Sequence, residues 1–190
     1  MKSNLLIAGV DEVGRGCLAG PVVSAAVILN SKIDLKLIKD SKKINFQNRI
    51  KIAQIIKQNS YYAIGTASVE EIFKFNILQA ALLSMKRAIN KLEKKPDQVL
   101  IDGQFAPSGL NNFKTIIRGD EKIKCIGAAS IIAKTYRDLL MIKLSEKFTH
   151  YAWERNFGYG TKDHLEGLKK FGISSHHRKG FKPIHNMLLK

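Results

Sequence analysis

The sequence predicts an α/β fold, a mixed five-stranded sheet flanked by helices, and three observations predict it. Apolar runs of strand length occupy 5–10, 21–29 and 61–68. Two shorter runs, at 99–101 and 113–117, then alternate with long stretches of helical periodicity, a pattern that lays helices over a sheet. Acidic residues follow the first, fourth and fifth runs, and in open α/β sheets the carboxyl ends of strands form the usual site.

The first run, Leu5-Leu6-Ile7-Ala8-Gly9-Val10, leads into Asp11-Glu12-Val13-Gly14-Arg15-Gly16. Strand neighbours point to opposite faces, so Asp11 and Glu12 flank one point only where the strand ends and bends. Gly14 and Gly16 lack Cβ and let the backbone come close to a ligand, and Arg15 between them is a planar cation suited to phosphate. The second run is apolar almost throughout and reads as a central strand, forming a hairpin with the first. A polar loop, Asp40-Ser41-Lys42-Lys43, precedes a helix over 46–58, with Asn45 as N-cap and Phe46, Ile50, Ala53 and Ile55 or Ile56 on its inner face. After the third strand, Ser68 caps a short helix starting at Val69. A longer helix over 76–92 carries Leu78, Leu82, Met85 and Ile89 on one stripe. Asp102-Gly103 ends the fourth strand and Arg118-Gly119-Asp120 the fifth. Small residues at 127–130 open a helix to about 147, with Ile132, Tyr136, Leu139 and Leu140 turned to the core. The remainder is polar and basic, with one helix over 161–171 and a partly flexible end over 181–190. The expected organisation is a core over 1–150 with a helical, basic extension over 151–190 packed on it, a single domain overall.

A chain of 190 residues can bury a sizeable core. Its net charge is +16, from 32 basic residues against 16 acids, which points to a polyanionic partner, nucleic acid foremost. Lysines dominate the excess, so part of it also reads as solvated surface. Cys17 and Cys125 stand alone, without CxxC spacing, as in a reducing compartment. No signal peptide is read at the N-terminus, and no apolar stretch nears the roughly 20 residues that span a bilayer. A cytoplasmic protein away from membranes is expected.

Asp11, Glu12, Asp102 and Asp120 can converge on one edge of such a sheet. Two carboxylates about 4 Å apart repel by roughly 4 kcal/mol at an effective dielectric of about 20, so a cluster of four needs protons or cations. Hard divalent ions with oxygen ligands meet that need, and a pair of them can drive phosphodiester cleavage. The chain has no CxxC or HExxH motif to suggest zinc. Taken singly, Asp-Gly and Gly-Asp are common turn dipeptides; the set of four in a basic chain is what points to metal.

With these residues assembled, the chain resembles the bacterial ribonuclease HII family, the type 2 ribonucleases H, over nearly its whole length. The markers are Gly9 to Gly16, Asp40-Ser41-Lys42-Lys43, Ile101-Asp102-Gly103, Gly119-Asp120, Ala128 to Asp138 and Gly158-Tyr159-Gly160-Thr161. The resemblance implies an RNase H-like mixed sheet with a small helical C-terminal extension. It implies hydrolysis of RNA in RNA–DNA hybrids, dependent on Mg²⁺ or Mn²⁺, with two ions in the substrate complex. It further implies cutting 5′ of single ribonucleotides in duplex DNA, leaving 3′-hydroxyl and 5′-phosphate ends. The metal-binding acids carry over onto Asp11, Glu12, Asp102 and Asp120. The family's GRG motif falls on Gly14, Arg15 and Gly16, whose backbone reads the 2′-hydroxyl that separates RNA from DNA. Its junction-sensing tyrosine falls on Tyr159.

Lys42 and Lys43 are expected at the phosphate backbone. Ser130 and Lys134, four apart on one helix face, are expected near a helix N-terminus that favours phosphate. Asp138 reads as an ion-pair partner of Lys134, His164 as structural or phosphate-adjacent, and His176-His177-Arg178-Lys179 as a basic surface. Cys17 stands where the family often has proline, and Phe157 where many members carry lysine before Gly-Tyr. The expected partners are RNA–DNA hybrids and ribonucleotide-containing duplexes, the protein acting as a monomer with no obligate protein partner. The competing readings are a DNA junction resolvase of the same superfamily and a non-catalytic nucleic-acid-binding protein.

Overall fold

In the computed structural model, which describes residues 5–189, strand β1 (Ile7–Val13) pairs antiparallel with β2 (Val22–Leu29). Strand β3 (Ser60–Ala67) continues antiparallel on the far side of β2. On the other side of β1, β4 (Gln98–Asp102) and then β5 (Phe113–Ile116) are added in parallel. The order is β3-β2-β1-β4-β5, the mixed five-stranded sheet that the sequence predicts.

Helices α1 (Phe46–Gln58) and α4 (Lys124–Ser145) cover one face, and α2 (Val69–Asn90) the other. Alternation along β2 explains why its run is apolar throughout. Ala25 and Val27 pack with Ala53, Ile56 and Ile132, whereas Ala26 joins Val10, Met85, Ala88 and Ile101 on the reverse side. Local signals start the helices where expected: Asn45 Oδ1 accepts from the Asn48 amide at 2.9 Å, and Ser68 and Glu71 form a reciprocal capping box. The two helices expected after Ser68 are both present within α2, broken at Asn76, which has φ 67° and whose Oδ1 accepts from the Leu78 and Gln79 amides to start the second. Short helices α3 (Gly119–Lys122), α5 (Trp153–Asn156), α6 (Lys162–Phe171) and α7 (Lys182–Leu188) complete the fold. Among the described residues no helix is long and apolar enough to cross a membrane.

The structure corrects several expectations. Helix α4 begins at Lys124, before Gly127, and presents only part of the expected stripe to the core: Ile132 is buried and Leu140 packs beside Met141 and Trp153. Tyr136 and Leu139 are exposed, whereas Arg137 and Asp138 are buried. The cause is the depth of the contact with β1. A Cβ on Gly9 would overlap the backbone of Cys125 and Ile126, and the small residues Ala128, Ala129 and Ala133 lie fully buried along the helix. On α1 it is Ile56, not Ile55, that is buried. Leu5 lies outside β1 and is exposed. Within the C-terminal stretch, 182–188 form α7, whose Ile184 packs with Leu18, Trp153 and Leu168, and Lys190 lies outside the described residues. Finally, His177 and Arg178 are buried rather than part of a basic surface; His177 stacks edge-on against Tyr151, with ring centroids 4.7 Å apart.

The close approach of α4 to β1 leaves no room at Gly9. Gly9→Ala is therefore expected to destabilise the fold by about 3 kcal/mol or more. Denaturant unfolding checks it, and an unchanged midpoint would show that the helix can move away at little cost.

Candidate active site

Strand β1 does not end at Val10. It parts from β4 after the Val10–Ile101 pair but stays on β2 through Val13. Its last three residues therefore run past the edge of β4, and Asp11 and Glu12, although neighbours on one strand, border the same cleft. Asp102 closes β4 as expected. Asp120 is not at a strand end: β5 stops at Ile116, Arg118 turns the chain at φ 55°, and Asp120 sits in the first turn of α3. The four acids line a cleft of about 330 Å³ together with Gly14, Arg15, Gly16, Ser41, Lys42, Ser130, Lys134 and Tyr159. Of the binding residues nominated from sequence, Lys43 alone lies outside that lining, 4.0 Å from Asp40.

The acids are desolvated and crowd one another. Asp11 is 5% exposed, and its Oδ1 accepts from the Glu12 amide at 2.8 Å. Burial first, then the charges of Glu12 and Asp102, push its carboxyl well above the ordinary range, against a hydrogen bond from Ser130. Burial also raises Glu12, opposed by Arg15, whose Nη1 donates to Oε1 at 3.1 Å. Asp102 Oδ1 accepts from the Gly119 amide at 2.6 Å, which ties the end of β4 to the α3 turn. Asp120 is raised by burial and by Asp102, with Lys42 Nζ at 3.9 Å pulling the other way. Among the described residues no three His, Cys, Asp or Glu side chains already stand together as a metal-holding group.

The basic residues are less free than the sequence suggests. Lys134 Nζ lies 3.1 Å from Asp138 and over the Phe157 ring. Asp138 is fully buried and shared with Arg49, so it is the ion-pair partner expected. Ser130 sits nearly two turns inside α4, too far from its start for the helix terminus to act on a phosphate there. Its hydroxyl is 2.9 Å from that of Ser41. Phe157, in the place of a lysine, stacks on Phe46 at 6.2 Å between centroids. Tyr159 is 40% exposed beside the buried Cys17 thiol, and burial pushes its phenol up to about 12, so it remains neutral.

The two glycines differ in kind. Gly14 has φ 90°, and a Cβ there would run into the Arg137 side chain, so this glycine answers to Arg137. At Gly16 no atom lies within 4 Å of where a Cβ would stand. The open approach to backbone that the sequence suggests for both belongs to Gly16. From sequence, Ser41, Arg49 and Arg137 carry no separate role, and Arg178 reads as surface. The visible signal for Arg137 is its place between Ala133 and Met141, four residues from each, on a buried stripe of α4.

Comparison with known proteins agrees with this picture. The family model "Ribonuclease HII" matches residues 8–184. A ribonuclease HII of Pelagibacter ubique is 56% identical over 185 residues, covering 96% of this chain and 99% of that protein. Another from Macrococcus caseolyticus is 51% identical over 183 residues, covering 96% and 69%. Among solved structures, the ribonuclease H2 of Pyrococcus horikoshii superposes with a TM-score of 0.78 at 23% identity, covering 96% of this chain and 97% of that one. A Bst-RNase HIII solved in complex with Mn²⁺ superposes with a TM-score of 0.72 at 19% identity, covering 97% and 70%.

Asp11, Glu12 and Asp120 hold protons more tightly folded than unfolded. In metal-free protein their contribution to stability is full below the ordinary carboxylate range and is lost as pH rises through the raised values. Asp11→Asn is therefore expected to raise the melting temperature in EDTA at neutral pH, by about 2–4 °C for each kcal/mol relieved. The gain should shrink toward about pH 4, the ordinary value for aspartate. Thermal melts across pH check this; a variant no more stable than the parent at neutral pH would refute the crowding.

Proposed function

The chain belongs to the ribonuclease HII family and is an endoribonuclease acting on RNA–DNA hybrids; from that premise we propose that it also cuts 5′ of single ribonucleotides in duplex DNA. The products are a 3′-hydroxyl and a 5′-phosphate. The observation that carries this reading is the shared cleft, in which four carboxylates face the same space as Arg15, Gly16 and Tyr159. Family membership sets aside the junction-resolvase and purely binding alternatives.

On this reading Asp11, Glu12, Asp102 and Asp120 hold divalent ions, Mg²⁺ or Mn²⁺. The residues present fit such ions: the donors are all oxygens, as hard cations prefer, and Asp11, Glu12 and Asp120 are driven toward protonation by burial and mutual charge. A pair of ions, when bound, supplies an activated water and stabilises the leaving oxygen. The Glu12 amide holds the Asp11 carboxylate in place. Arg15 steadies Glu12. The backbone of Gly14, Arg15 and Gly16 takes the ribose 2′-hydroxyl, with Gly16 leaving the approach open. Tyr159 packs on the next sugar and rejects a second ribose by clash with its hydroxyl. Lys42 and Lys43, with Ser130 and Lys134 behind them, lie along the phosphate backbone.

A labelled DNA duplex carrying one ribonucleotide tests the reading. A single cut on its 5′ side is expected with Mg²⁺ or Mn²⁺ and none in EDTA; cleavage confined to long hybrids would remove the ribonucleotide reading. Asp102→Asn is expected to lower turnover by about a thousandfold while hybrid binding survives. The same substitution should abolish the rise in melting temperature that Mg²⁺ gives the parent, a readout independent of activity. Turnover near the parent level would remove Asp102 from the metal site. Tyr159→Ala should weaken cutting at single ribonucleotides more than in long hybrids, and equal losses on both substrates would count against its role.

A further inference from the structure

Arg137 and Arg178 are buried, at 0% and 1% exposure, and neither takes a carboxylate partner among the described residues. Their hydrogen bonds go to backbone carbonyls instead. Arg137 donates to Pro21 at 3.0 Å, Phe157 at 2.8 Å and Ala19 at 2.9 Å. Arg178 donates to Gly20 and Arg15, both at 2.9 Å, and its Nη2 has no partner. Four of the five carbonyls lie on the loop that joins β1 to β2, which carries Gly14, Arg15 and Gly16. The fifth is two residues before Tyr159. Amides tie the same pieces together: Leu18 N donates to Gly158 O, Gly20 N to His176 O and Arg178 N to Leu18 O.

A buried cation without a counter-charge is a poor way to gain stability, since apolar side chains of the same volume often do better. What a guanidinium offers here is shape. It is a rigid planar fork that fixes several acceptors at once, whereas an ammonium is a point charge on a flexible stem. Arg137 bridges the 19–21 stretch to the Tyr159 segment, and it also fills the space a side chain at Gly14 would need. Arg178 bridges Arg15 to Gly20, the two ends of the loop.

We propose that Arg137 and Arg178 are positioning residues of the ribonucleotide reader. They set the spacing between the backbone at Arg15–Gly16 and the ring of Tyr159, and through it the preference for a lone ribonucleotide over a continuous RNA strand. The inference rests on the reading of the cleft given above. Neither arginine lines the cleft, so both act through the loop and the tyrosine.

Arg178→Lys separates shape from charge, and Arg178→Met removes both while keeping much of the volume. Catalytic efficiency is measured for the parent and both variants on the single-ribonucleotide duplex and on a long hybrid. In Arg178→Lys the ratio of the two efficiencies should shift about tenfold or more against the single ribonucleotide, with hybrid cleavage within about threefold of the parent. Hydrogen exchange should quicken at 14–20 while β4 and α4 stay protected. A folded Arg178→Lys with an unchanged ratio overturns the proposal. So does failure of both variants to fold, which would assign the guanidinium to stability alone. If the parent itself leaves the single-ribonucleotide duplex intact, the underlying reading has failed, and that is seen before any variant is compared.

Discussion

Helix α4 lies so close on β1 that Gly9 has no room for a side chain, and the site is arranged by that contact. Three small buried residues, Ala128, Ala129 and Ala133, accompany it. Once the helix is seated, its next turns project fixed groups at helical spacing. Ser130 reaches Ser41, which anchors the 40–43 loop beside the acids. Lys134 and Arg49 meet on Asp138, and Arg49 also donates to the Ser41 carbonyl. Arg137, on the neighbouring stripe, reaches the β1–β2 loop and the Tyr159 segment. Three of the acids come from the sheet, and Ser130, Lys134 and Arg137 from one helix, so the distance between sheet and helix sets how those groups stand to one another.

The cleft acids and two buried guanidinium groups are kept apart. Four carboxylates share the cleft, while Arg137 and Arg178 lie buried on backbone carbonyls, Arg178 also over the Phe181 ring. Burial lowers Arg178 to about 10, still high enough to leave it charged at neutral pH. Had these cations paired with the cleft acids, the result would be closed salt bridges, with neither carboxylates free for other cations nor a braced loop. The separation leaves four carboxylates in one cleft of a protein whose net charge is +16, a charge that draws a polyanion to the molecule as a whole.

Much of this was legible in the sequence. Apolar runs bounded by polar loops marked the strands, and Asn45 and Ser68 marked helix starts because their side chains satisfy amides the helix cannot. The four acids were legible because they follow apolar runs. The inner face of α4 was not, because bulky residues suggest a core stripe, and here small residues make the contact while Tyr136 and Leu139 turn outward. Arg137, Arg178 and His177 were misjudged or overlooked because basic residues are ordinarily on the surface. The extension of β1 to Val13 was hidden for a different reason: it depends on pairing with β2 after β4 has ended, a property of register that the acidic dipeptide does not display. The helical setting of Asp120 likewise depends on the left-handed turn at Arg118.

Telling one ribose from deoxyribose rests on one hydroxyl group, and a single hydrogen bond contributes only about 0.5–1.5 kcal/mol net. On the proposed reading, discrimination on that scale requires the groups around the 2′-hydroxyl to be held still, yet the segment from Gly14 to Pro21 is a loop, the kind of structure that is ordinarily mobile. Here its carbonyls are held by two guanidinium groups, and a bridge joins Ala19 to His177. Tyr159 is held from the other side: its carbonyl accepts from His164 Nδ1 at 2.8 Å. That bond, with Trp153 Nε1 donating to His164 Nε2 at 3.1 Å, fixes the tautomer. His177 Nε2, 3.0 Å away, must then donate to the same nitrogen, leaving its Nδ1 to accept from the Ser174 amide. Burial lowers both histidines, His177 to about 4, so the network stays neutral at physiological pH. Among the described residues the C-terminal segment lines the cleft at Tyr159 alone, and its buried histidines and Arg178 tie the β1–β2 loop and the Tyr159 segment to one another.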